Sequence, residues 1–153
     1  MTKAKSGERI GEKMKYDLSD EKYLIKRYKE SKRNLLNATE RLKEVLQEKE
    51  NDIVIDGTLH RFEFTFELAW KTMKDYLEYS GIIDGIGIPR EIIKTAFANG
   101  IIEDGEDWIK MMLERNSLLY LYDEEKSREI YIEIKEVYLN LFEKLNNKFA
   151  DIL

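Results

Sequence analysis

Apolar residues recur along this chain at alternating steps of three and four, the spacing that returns a side chain to the same side of an α-helix. The first seam runs Leu24, Tyr28, Ser31, Leu35, Ala38, Leu42 and Val45, with Lys, Arg and Glu filling many positions between. Three heptads of this kind predict a helix over 21–49, about 40 Å long at 1.5 Å per residue. Ser19 and Asp20 offer short polar side chains to cap its first amides. Asn51 and Asp52 interrupt the pattern, and a second seam follows at Leu59, Phe62, Phe66, Ala69, Met73 and Tyr76. At about 100° per residue, Glu63, Glu67, Lys71, Lys74 and Glu78 share one polar stripe, while Phe64, Leu68 and Tyr79 fall on a third sector. A helix that is apolar on more than one side must be covered on more than one side. This second helix is therefore expected to be the central element and to offer a subunit interface as well as a core. Gly57 near its start costs about 1 kcal/mol relative to Ala, so its first turns are expected to fray.

Gly81, Gly85 and Gly87 mark a loop, after which Pro89 opens a short helix containing Ile92, Ile93, Ala96 and Phe97. Proline suits the first helical position, and Asn99-Gly100 suits a left-handed end. Asp104 is placed to cap a fourth helix, with Glu106 and Asp107 in its first turn, and Asp123, Glu124 and Glu125 begin the last in the same way; acidic side chains there complement the helix dipole. The last seam is Ile130, Ile134, Val137, Leu141 and Leu145, broadened by Tyr131, Tyr138 and Phe142. The prediction is an all-α fold, an antiparallel four-helix bundle with one extra short helix. It forms a single domain over 19–153 behind a poorly ordered leader, residues 1–18, which carries Gly7, Gly11, scattered charge and a conceivable alternative start at Met14.

Composition agrees with helices that have solvated faces: of 153 residues 42% are hydrophobic and 37% charged, with 8 Gly and one Pro. Cysteine is absent, which excludes disulfides, thiolate zinc sites and a cysteine nucleophile. No stretch approaches the roughly 18 apolar residues of a membrane span, and the N-terminus has no apolar signal-peptide core, so a cytoplasmic protein is expected. The net charge is −5 but unevenly spread: residues 1–33 hold 11 Lys/Arg against 6 Asp/Glu, a local excess of about +5. Such a segment can be a solvated helix face or can touch nucleic acid or an acidic partner, although the whole chain lacks the broad basic surface of a dedicated nucleic-acid binder.

Candidate chemistry is sparse. Glu63 and Glu67, one turn apart, could pair as carboxylates on a metal, but a di-iron bundle needs Glu-x-x-His on two helices and the chain has only His60. A solvated ion-pair stripe, with Glu67 meeting Lys71 at i+4, accounts for them more simply. No metal or cofactor is expected. His60, near the start of its helix, reads as a boundary residue. The glycines of 81–87 lack the Lys-Ser/Thr of a phosphate loop. One residue violates the packing pattern: Trp108, Met112 and Leu119 share a face of the fourth helix, with Met111 beside it, and Arg115 falls in its middle with Asn116 at the edge. A guanidinium there must be paired, by a carboxylate from another helix, or open onto a cleft.

Around these positions the chain resembles the nucleotidyltransferase substrate-binding proteins, a branch of the HEPN domains. The resemblance rests on Arg61-Phe62-Glu63-Phe64-Thr65-Phe66-Glu67-Leu68-Ala69-Trp70-Lys71. It continues in order through Pro89-Arg90-Glu91, Asp104-Gly105-Glu106-Asp107-Trp108, and Arg115-Asn116 leading to Tyr122-Asp123-Glu124, so that it spans 21–150. It implies a helical bundle that forms a homodimer and associates with a minimal nucleotidyltransferase encoded beside it, either presenting substrate or serving as the HEPN half of a toxin–antitoxin pair. In such pairs an Arg-x4-His-x-Tyr motif forms a metal-independent ribonuclease site across the dimer, and the transferase silences it by attaching AMP to the tyrosine. Carried over, Arg115 matches the motif arginine, Asn116 its polar follower and Tyr122 the modified tyrosine, with RNA or a nucleotide in the groove. The histidine position is Tyr120. A phenol of ordinary pKa ~10 is a poor base near neutrality, so the departure argues against catalysis by this chain alone. The alternative is a ribonuclease using Arg115 with Tyr120; modification of Tyr122 is compatible with either.

Overall fold

The computed structural model describes the backbone of residues 2–120 and 123–152 and the side chains of 20–120 and 123–152. Six α-helices follow in order: α1 (Thr2–Leu46), α2 (Asp52–Tyr79), α3 (Pro89–Ala98), α4 (Gly105–Ser117), α5 (Glu124–Glu133) and α6 (Leu139–Ala150). A 3-10 turn (Leu118–Tyr120) extends α4, and a π turn (Ile134–Tyr138) joins α5 to α6, so that 124–150 form one rod. No strand occurs among the described residues. The all-α fold expected from periodicity is the one observed, with the last long helix interrupted by the π turn.

The helix ends follow the local chemistry in most places. Asn51 accepts from the Val54 amide at 2.9 Å and caps α2. Asp123 accepts from the Glu125 and Lys126 amides at 2.9 and 3.4 Å and caps α5. At the end of α3, Gly100 takes φ +73°, and the Ile101 amide returns to the Ala96 carbonyl at 2.9 Å, a left-handed stop that a residue with Cβ would strain. Two expected caps differ. The helical backbone of α1 runs straight through Ser19 and Asp20; neither blocks a helix, and good helix formers, Leu18 before and Glu21 and Lys22 after, flank the pair. Asp104 precedes α4 but makes no capping hydrogen bond; its carboxylate lies 3.5 Å from Lys144 of α6 instead.

α2 packs on α1, α3, α4 and α5, which makes it the central element that its several apolar sectors require. Its buried threonines settle the flank against α1: Thr65 bonds back to the Arg61 carbonyl and approaches that of Ala38 at 3.4 Å. On the other side Phe62 stacks on Tyr138 (5.6 Å), Phe66 lies tilted beside Trp108 (6.4 Å), and Trp108 meets Phe142 edge-on (5.8 Å). These five rings are fully or almost fully buried, and removal from water favours folding by about 2–3 kcal/mol for each. A second aromatic group, Tyr28 with Tyr76, Tyr79 and Phe149, closes the far end. Phe97 and Leu119, expected on apolar faces, are instead 53% and 69% exposed, because α3 and the 3-10 turn lie at the edge of the bundle.

Candidate functional site

Arg115 sits in the last turn of α4, three residues beyond the buried Met112. Its Nη2 donates to Glu67 Oε2 of α2 at 2.6 Å, a short charge-assisted bond between side chains that are 25% and 31% exposed. Its guanidinium carbon lies 5.6 Å from the centroid of the Phe66 ring, so the cation is held by a carboxylate on one side and an aromatic ring on another. Glu67 is shared further. Trp70 Nε1 donates to the same oxygen at 3.1 Å, and Lys71 Nζ lies 3.2 Å from Oε1. Burial alone would raise the pKa of this carboxyl. The hydrogen bonds from Trp70 and Lys71 and the charge of Arg115 outweigh it and hold the group below the ordinary carboxylate value. Both sequence expectations for these residues are met: Glu67 pairs with Lys71 at i+4, and Arg115 finds a carboxylate on another helix.

The backbone that aims Arg115 is fixed from below. A π turn admits one extra residue into the helical spiral and is a common device at functional positions. Here it brings Tyr138 under α4, where its hydroxyl donates to Glu114 Oε2 at 2.5 Å. Burial, reinforced by that carboxylate, pushes the Tyr138 phenol far above its ordinary pKa, so it stays a donor. Lys110 reaches Glu133 at 3.5 Å one turn earlier. Tyr138, Trp70 and Glu67 are the site residues that periodicity did not single out as partners around Arg115: Glu67 and Tyr138 act across helices, and Trp70 acts through Glu67 on its own helix.

The remaining predicted positions divide. Asn116 is exposed beside Arg115, and Tyr120 is 81% exposed at the end of the 3-10 turn. Tyr122 lies outside the described residues. His60 is exposed at the surface of α2. Glu63 and Glu67 do not converge with further ligands: among the described residues no three His, Cys, Asp or Glu side chains are placed to hold a metal. A guanidinium has five donors in a planar fork, so an arrangement with one nitrogen committed to Glu67 can still receive a phosphate or carboxylate.

Fold and site together define an all-helical bundle whose second and fourth helices are joined by a partly exposed Arg115–Glu67 ion pair. The chain belongs to the family described as "Nucleotidyltransferase substrate binding protein like", whose sequence model matches residues 24–151. A curated relative, "Probable ribonuclease HepT" of Haemophilus influenzae, is 34% identical over 88 residues, 56% of this chain and 60% of that protein; the chain thus spans about three-fifths of that relative's length. Among solved structures, HI0074 of Haemophilus influenzae, described as the fold of a substrate binding domain of a nucleotidyltransferase, superposes with a TM-score of 0.68 at 25% identity, covering 78% of this chain and 98% of its own. The Thermus thermophilus protein ttk003001694 gives 0.66 at 25% identity, covering 74% and 97%. No helix among the described residues is long and apolar enough to cross a membrane.

Proposed function

We propose that this chain is the substrate-binding and partner subunit of a minimal nucleotidyltransferase encoded beside it, the HEPN half of a toxin–antitoxin-type pair in the cytoplasm. In this reading Arg115 and Asn116 line the groove that receives the anionic ligand, and Tyr122 accepts AMP from the partner. The carrying observation is the half-open Arg115–Glu67 pair at the end of α4, seven residues ahead of Tyr122. Family membership and the description of the Haemophilus influenzae neighbour support the partner. Co-expression with the neighbouring reading frame tests it. The expected result is a complex that co-purifies and, with ATP, a gain of one AMP on the peptide containing Tyr122, lost in Tyr122→Phe. A chain that purifies alone and gains no adduct would overturn the proposal.

The homodimer in this reading is supported by α2, where Phe64 is 59% exposed one turn from the partly buried Leu68. The second reading is a ribonuclease acting at that dimer, favoured by the name of the Haemophilus influenzae relative and by the exposure of Tyr120 within five residues of Arg115. It predicts growth arrest on expression of the wild type and none with Arg115→Ala. Equal growth of the two strains eliminates it.

A further inference from the structure

The outward face of α1 carries Lys22, Lys26, Lys29 and Arg33, at steps of four, three and four. At 100° per residue all four project within about 60° of one another. All four are exposed, and none forms an ion pair among the described residues, in contrast to Lys43, Lys71, Lys110, Arg115, Lys126, Arg128 and Lys144, each of which has one. Like charges one turn apart destabilise a helix, and the sequence offers acids in abundance to relieve them, 31 in all. Glu30 alone flanks the stripe, at i+4 from Lys26 and i−3 from Arg33, and it forms no ion pair with either among the described residues, so a protein of net charge −5 keeps an excess of cations along this face. Beside it a groove of about 400 Å³ opens between α1 and the end of α6, with Leu36 and Phe149 as its apolar lining and Lys29, Lys32, Arg33 and Asn147 as its polar one. Its walls are tied together, because Lys32 Nζ donates to the Phe149 and Ile152 carbonyls at 3.2 and 3.3 Å and Tyr28 donates to that of Ile152 at 3.1 Å.

We propose that the Lys22–Lys26–Lys29–Arg33 stripe, with the adjoining α1–α6 groove, is a docking surface for single-stranded nucleic acid. The charges rise along α1 in steps of about 4.5–6 Å over about 16 Å, comparable to the reach between successive phosphates of an unpaired strand. The groove is wide enough to receive a base against Leu36, the combination of backbone tracking and base seating by which single strands are held. A membrane surface fits less well, since α1 turns its apolar residues Tyr28, Leu35, Ala38 and Leu42 into the core and, along its described side chains, exposes just two large apolar ones, Tyr23 and Leu36, a turn or more apart. The acidic remainder of the molecule does not cancel the stripe, because at physiological salt charges are screened beyond about 8 Å. This surface lies on α1 and α6, whereas the Arg115–Glu67 pair lies on α4 and α2, so the two can be tested apart.

Fluorescence anisotropy of a labelled twelve-nucleotide single-stranded RNA on the intact chain provides the test, across 50–200 mM salt. Wild type is expected to bind with log Kd rising against log salt at a slope near 3, from about 0.7 for each of four phosphates neutralised. The variant K22E/K26E/K29E/R33E is expected to lose at least tenfold in affinity and most of that slope, while circular dichroism and co-purification with the transferase stay as in wild type. Leu36→Asp, which leaves the four cations in place, should weaken binding at every salt without changing the slope. Equal affinity of wild type and the quadruple variant overturns the proposal, as does preference for a duplex of the same sequence. Loss of transferase co-purification in the quadruple variant with RNA binding intact would assign the stripe to an acidic protein partner and overturn it too.

Discussion

Glu67 serves three donors at once, and that division of labour sets what a single substitution there should do. Its Oε2 takes both Arg115 and Trp70, while Oε1 takes Lys71. Replacing it by Gln keeps the shape and removes the charge, so the Arg115 guanidinium, three-quarters removed from solvent, loses its counter-ion. We expect Glu67→Gln to cost about 1–2 kcal/mol at pH 7, the scale of a charge-assisted hydrogen bond, read from urea unfolding. Because the folded state holds this carboxyl below its unfolded pKa, its contribution is complete above the ordinary carboxylate range and is lost as pH falls through the folded value. The gap between variant and wild type should therefore narrow below about pH 4, and a gap constant from pH 7 to 3 would show that the charge of Glu67 is not what stabilises. The half of this site that was readable in the sequence is the anomaly itself, a guanidinium on an apolar stripe. Its partner was not, because Glu67 sits in an ordinary polar stripe on a helix 48 residues away and helical periodicity carries no information between helices. Asp75 makes the same point: buried and bonded to Ser31 and Arg27 at 2.5 and 3.0 Å, it drew no attention in the sequence.

At the level of elements, the π turn is the feature that couples the core to the Arg115–Glu67 pair. It was invisible in the seam Ile130, Ile134, Val137, Leu141, Leu145, since one extra residue in a spiral shifts an apolar pattern by less than the width of the stripe. Its effect is to hand Tyr138 to Glu114, the residue that immediately precedes Arg115. Tyr138→Phe should keep the stacking on Phe62 while removing the donor. The expected outcome is a loss of about 1–2 kcal/mol in stability, with faster amide exchange concentrated at 114–120. Exchange that rises uniformly along the bundle instead would mean that Tyr138 merely packs. Gly57 makes the opposite case. It lies inside α2, and a Cβ there would stand 3.9 Å from Val45 Cγ2, an ordinary contact. Gly57→Ala is expected to stabilise by about 0.5–1 kcal/mol, visible as a higher Tm in thermal denaturation. The start of α1 differs from the expected one for a related reason: Ser19 and Asp20 are good caps where a helix begins, but tolerable guests where it continues.

For the molecule as a whole, the decisive property is that α2 has more apolar surface than one bundle covers. The sequence already placed Phe64 and Leu68 off the main seam, and four helices packed on α2 still leave Phe64 59% exposed, on the helix that carries Glu67. Scattered exposed apolar residues are ordinary, but the end of α4 adds Leu113, Leu119 and Tyr120, each at least half exposed. Apolar and aromatic anchors of this type dominate association energies when they are desolvated at the centre of an interface. If two copies meet there, Arg115 of each lies close to the shared surface, and the groove proposed there is completed only in the dimer. Phe64→Asp places a charge where the anchor should be buried, and it should cost more than about 2 kcal/mol of association free energy, a change of more than about thirtyfold in the dimer constant. Sedimentation velocity at micromolar concentration reads this directly: wild type as a dimer and Phe64→Asp as a folded monomer with unchanged helicity. A wild-type chain that sediments as a monomer would remove the interface, and with it the reading of Arg115 as part of a site shared between subunits.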